Sequence, residues 1–209
     1  MKELDLLKKD WNKTADTFQQ VSEVEIYNMI HKKSSSIVKW ILVISLLEIL
    51  FWTASNFVFS IDEFLKQINH PEYILYLEVI TYFNYVVVLI FVYFFYKNYT
   101  TISTTKSTKL LMSSILRTRK TVQYYVWYNL AMVVLSSIIS FFIAFSSPEM
   151  NYLKEKIATN GTVMLMVISI LLLVTLISLG LVWCFYRLIY GTLLRRLYAN
   201  YKELKKIDL

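Results

Sequence analysis

The chain has 209 residues, enough for one domain, and 56% of them are hydrophobic, too large a share for an ordinary soluble domain of this size. Its formal charge of +7 sits mainly in stretches between apolar runs, which points to anionic lipid and not to nucleic acid. Three glycines, two prolines, one cysteine and two histidines leave long helices as the expectation, exclude a disulfide framework and a cysteine-based zinc site, and imply no cofactor.

Residues 1–36 form a charged N-terminal segment ahead of the first apolar run. Within it Leu4, Leu7 and Trp11 share one face of a helix. Ser22 followed by Glu25 is a capping-box pattern, which opens a helix through about Lys33. The run that follows lacks a small-residue cleavage site, so it is expected to stay in the membrane as an anchor.

About 20 apolar residues are needed to cross about 30 Å of hydrocarbon. Four segments meet this: 37–60, 73–96, 122–146 and 162–186. Lipid offers no partner to a backbone polar group, so each span is a helix, even where Val86, Val87, Val88 and Ile90 favour strand. The fold class is therefore all-α, a four-helix transmembrane bundle within residues 37–186. The stretch 97–121 carries Lys97, Lys106, Lys109, Arg117, Arg119 and Lys120 with no acid, and the tail carries Arg195, Arg196, Lys202, Lys205 and Lys206. The two other connections are poor in cations, so both termini are expected in the cytoplasm. Trp40, Trp52, Tyr73, Tyr76, Tyr96, Tyr124, Tyr125, Trp183 and Tyr186 fit an aromatic belt at the two interfaces. The stretch 105–121 and the segment 187–209 read as amphipathic cytoplasmic helices, the latter with Leu193, Leu194 and Leu197 on its apolar side.

Charge inside a span is expensive and marks the first place to look for function. Glu48 lies 11 residues into the first span, about 16 Å deep and near the midplane. Asn84, Ser136 and Thr175 fall at a similar level and complete a candidate polar site. One use of it is proton or cation binding; the other is a hydrogen bond that fixes helix packing. Ser136, Ser140 and Ala144 form a small-residue pattern suited to close helix approach, and Asn129 is placed to bond a neighbouring span. N-x-T triplets at Asn12, Asn98 and Asn160 are poorly placed for glycosylation. P-loop, G-x-S-x-G, H-E-x-x-H and C-x-x-C signatures are absent, so an enzyme is not expected.

The segments ELDLLKKDWNK (Glu3 to Lys13), LRTRKTVQYYVWYN (Leu116 to Asn129) and LIYGTLLRRLYANYKELKKID (Leu188 to Asp208) carry a resemblance. Together they resemble an uncharacterised set of four-span bacterial inner-membrane proteins, which implies an inner-membrane location but supplies no functional residue. Some members bear the label of a carotene-cleaving oxygenase. The resembled oxygenases hold iron through four histidines, and two are present here.

Two functions follow as expectations. The first is a non-enzymatic anchor, adapter or regulator that presents Leu4, Leu7, Trp11, Leu193, Leu194 and Leu197 to a cytoplasmic protein partner. The alternative is a small proton- or cation-linked transporter, or a channel-like protein, that uses Glu48. A bundle of four short spans would form such a pathway as a homo-oligomer.

Overall fold

A computed structural model describes residues 22–58 and 72–207. Among them are five α-helices and a single 3-10 turn, with no strand. They run α1 (Glu23–Val58), α2 (Glu72–Thr104), α3 (Thr108–Ser146), the turn Pro148–Met150, α4 (Asn151–Thr159) and α5 (Gly161–Ile207). The four long helices form the all-α bundle that composition requires, and each is long and apolar enough to cross a membrane. Around the bundle α1 packs on α2 and α5, and α3 packs on the same two, so α1 and α3 face across the centre.

Each long helix contains one expected span and runs well past it. The helix opened by Ser22, whose Oγ accepts the Glu25 N–H at 3.2 Å, does not stop near Lys33 but continues through the first span. In the stretch expected as a basic connection, only residues 105–107 interrupt the helices. This polar stretch is helical through Thr104, and the hydroxyls of Thr100, Thr101, Ser103 and Thr104 donate to carbonyls three or four residues back. At 1.5 Å per residue the extensions beyond the expected spans are about 12 Å for α2, 21 Å for α1 and α3, and 31 Å for α5. They gather at one end of the molecule, with most of the cations, and form a stalk that we call the basic end.

The stalk explains where the amphipathic faces go. Ile30, Val38, Ile102, Leu111, Ile115, Leu197 and Leu204 form one buried cluster, with Leu194 packed against it. Ile41, Val88, Phe95, Val122, Tyr125, Tyr186 and Tyr190 form a second, with Leu193 and Leu194 against it. The partner-binding face expected at Leu193, Leu194 and Leu197 is thus turned inward, because the apolar stripes of the other long helices cover it. Leu4, Leu7 and Trp11 lie outside the described residues.

Four buried stripes follow a four-then-three spacing, the seam of a coiled-coil-like bundle. They are Ser34, Val38, Ile41 and Ser45 on α1; Val88, Phe95 and Ile102 on α2; Leu111, Ile115, Thr118, Val122 and Tyr125 on α3; and Tyr186, Tyr190, Leu197 and Leu204 on α5. Polar ties join the stripes. Asn200 donates to Ser34 Oγ at 3.0 Å between α5 and α1. Tyr27 donates to the Thr105 carbonyl at 3.2 Å and holds the α2–α3 turn; burial keeps its hydroxyl above the ordinary tyrosine range.

The opposite half is built differently. Leu165, Ile170, Leu172, Leu173, Leu176, Ile177 and Leu181 are exposed around α5, and Leu47, Leu50, Val79, Phe83, Val86 and Ile138 are exposed on the other helices. A helix apolar on all sides has lipid as its natural surrounding. The connection before α5 contains α4, and Asn160 Oδ1 caps α5 by accepting the Thr162 N–H at 3.0 Å.

Candidate functional site

Glu48 is the next position on the buried α1 stripe after Ile41 and Ser45. The periodicity that aims those residues at the bundle axis therefore aims the carboxylate there too. Three phenols meet it. Tyr125 on α3 donates to Oε2 at 2.8 Å, Tyr190 on α5 reaches the same oxygen at 3.4 Å, and Tyr186 donates to Oε1. The tyrosine rings also pack on one another, with Tyr125 edge-on to both Tyr186 and Tyr190. Phe91 and Phe95 of α2 also pack edge-on against the Tyr125 ring. One carboxylate thus ties α1 to α3 and α5.

A carboxylate offers about four lone-pair sites. Three are occupied by phenols, and Glu48 also lines a central cavity of about 570 Å³. All four long helices contribute to its wall. Its polar lining includes Thr81, Asn84, Asn129, Ser136, Ser137, Ser140 and Ser178, and its aromatic lining includes Trp52, Tyr85 and Phe141. From Tyr125 to Phe141 along α3 it extends about 24 Å. The phenol cluster and the buried stripes lie at its basic end, so the packed stalk backs it there.

The expected polar site is partly assembled. Glu48, Asn84 and Ser136 line the same cavity, whereas Thr175 is not among its lining residues. Thr175 lies about three turns along α5 from Tyr186, and its hydroxyl donates to the Leu171 carbonyl of its own helix at 2.9 Å. Glu48 is also not at the midplane of the expected spans. Its partner Tyr125 is within one turn of the start of the third span, and Tyr186 is the last residue of the fourth. The apolar boundary on one helix does not set its register against the others, so the position of Glu48 within the first apolar run does not fix its level in the bundle.

Other assignments also change. Tyr125 and Tyr186 belong to the interior and not to an interfacial belt. Asn129 donates to the Tyr125 carbonyl of its own helix at 2.8 Å; the link between spans comes from Tyr128, which donates to Asn84 Oδ1 at 2.9 Å. Ser136 and Ser140 line the cavity, so there the small residues leave space between helices. Asn98 is buried and donates to Thr121 at 3.3 Å. Among the described residues no group of three or more His, Cys, Asp or Glu side chains is placed to hold a metal ion.

Sequence reasoning missed Tyr190 and the inward role of Tyr125 and Tyr186. The signal was present: Tyr186, Tyr190, Leu193, Leu197, Asn200 and Leu204 keep the four-then-three spacing without a break. Extending that seam from the tail into the last span would have turned both tyrosines toward the axis.

The helices and their lipid-facing surface define a multi-pass membrane protein with an interior carboxylate. The chain belongs to the DUF8845 family, described as a domain of unknown function, whose profile matches residues 24–209. No curated protein and no solved structure matches it.

Proposed function

We propose that the protein is a small proton- or cation-linked transporter, or a channel-like protein, in which Glu48 is the charged binding group. The observation that carries this reading is the convergence of Tyr125, Tyr186 and Tyr190 on a carboxylate that still faces a cavity with polar side chains in its wall. The phenols hold the group in place, and the free side of Glu48 receives the proton or cation. Asn84, Ser136, Ser140 and Ser178 supply successive polar contacts away from it. Charge asymmetry favours the basic end, and hence both termini, on the cytoplasmic side of a bacterial inner membrane.

The test is flux in proteoliposomes, using a pH-sensitive or cation-sensitive dye. Glu48→Gln should abolish flux while circular dichroism and gel filtration remain those of the parent. If Glu48→Leu carries the same flux, or if the parent carries none, the carboxylate serves packing alone and the reading falls.

A second reading is a membrane adapter that acts through the stalk. It is favoured by the exposed cations Lys32, Lys33, Arg195, Arg196, Lys202, Lys205 and Lys206 on a body that projects beyond the expected spans. Its partner would be an acidic protein surface, with Leu4, Leu7 and Trp11 as further contacts. Native-level co-purification followed by mass spectrometry tests it. A stoichiometric partner lost on deleting residues 1–21 supports the adapter; a clean homo-oligomer opposes it. Deleting 188–209 would be uninformative, because Leu197 and Leu204 are core.

A further inference from the structure

A second concavity lies on the outer side of the α2–α3 pair, apart from the Glu48 cavity. It has a volume of about 350 Å³ and is lined by Phe91, Phe94, Lys97, Asn98, Arg117, Thr121 and Tyr124. Its two kinds of surface are divided along the bundle axis. Phe91, Phe94 and Tyr124 belong to the apolar band, whereas Lys97 lies three residues past Phe94 and Arg117 seven residues before Tyr124, both toward the stalk. The groove therefore straddles the boundary between hydrocarbon and water at the basic end.

Its polar residues are fixed locally. Asn98 donates to Thr121 Oγ1 at 3.3 Å across the two helices, and Thr121 donates to the Arg117 carbonyl at 3.0 Å. Lys97 and Arg117 are exposed, and the stretch 97–121 supplies no acid to pair with either. Two cations above an aromatic trough match an amphiphile whose anionic head is joined to an apolar tail. A guanidinium engages phosphate oxygens in a fork, a lysine ammonium adds a point charge, and basic pockets between spans are suited to lipid phosphates.

We infer that this groove binds one anionic phospholipid from the surrounding bilayer, with its phosphate between Lys97 and Arg117 and an acyl chain along Phe91 and Phe94. The occupant is a lipid and not free phosphate, because the aromatic half of the groove gives inorganic phosphate nothing to contact. The site is independent of the Glu48 reading.

The experiment is native mass spectrometry of the delipidated full-length protein in mild detergent, titrated with phosphatidylglycerol and, separately, phosphatidylcholine. One phosphatidylglycerol should be retained in preference to phosphatidylcholine. The variant K97Q/R117Q should weaken that retention about tenfold or more, since each cation near a membrane surface adds to the attraction for anionic lipid. Both residues are exposed, so the fold should persist, and circular dichroism checks this. The stalk variant K205Q/K206Q, equal in charge lost, should leave retention unchanged. Equal weakening by both variants overturns the site in favour of general charge attraction. Equal retention of the two lipids overturns it as well, and so does displacement of phosphatidylglycerol by millimolar inorganic phosphate.

Discussion

At Glu48 three phenols share one acceptor group, so the consequences of changing either side differ in size. Tyr186→Phe removes one hydrogen bond and leaves Tyr125 and Tyr190 on Oε2. Its expected cost is about 1–2 kcal/mol. Glu48→Leu leaves three interior hydroxyls without their acceptor, at about 1–3 kcal/mol for each one that finds no other partner. Glu48→Gln keeps one acceptor oxygen and should fall between them. Thermal unfolding in detergent, followed by circular dichroism, should rank the three as Tyr186→Phe mildest and Glu48→Leu most severe. A Glu48→Leu protein as stable as the parent would mean that the phenol cluster does not hold the helices together.

Among the elements, the stalk seam mixes apolar residues with buried polar ones. Leu197→Ala opens a cavity in the buried cluster that includes Ile30, Leu111 and Ile115 and should cost about 2–5 kcal/mol. Asn200→Ala leaves Ser34 without its partner and should cost about 1–3 kcal/mol. The double change Ser34→Ala with Asn200→Leu removes both polar groups and should recover much of that loss. If the double variant is no more stable than Asn200→Ala, the pair is not a coupled tie. Tyr27→Phe should cost about 0.5–1.5 kcal/mol through the α2–α3 turn. Burial raises the Tyr27 pKa on folding, so this contribution is intact below the ordinary tyrosine range and is lost as pH rises through the raised value.

For the whole molecule, charge asymmetry predicts the orientation. Cys184 is the single cysteine, so a Cys184→Ser background permits site-directed labelling. Lys205→Cys lies on the stalk and Glu155→Cys on α4 at the opposite end, both at exposed positions. With a membrane-impermeant maleimide, Lys205→Cys should label in inverted vesicles and Glu155→Cys in intact cells. The reverse pattern would place the stalk outside, and labelling of both from one side would contradict a spanning bundle.

Composition and the lengths of the four apolar runs by themselves determined an all-α, four-span protein. A bilayer supplies no hydrogen bonds to backbone groups, so length and apolarity suffice to specify helices there. The same information located Glu48, because a charge among apolar residues stands out whatever surrounds it. Only the tertiary structure decided its partners, since tyrosines read equally well as belt or core until neighbouring helices fix their register. Only it showed that Leu193, Leu194 and Leu197 turn inward. An amphipathic stripe states that a face must be covered, and packing of the other helices decides what covers it.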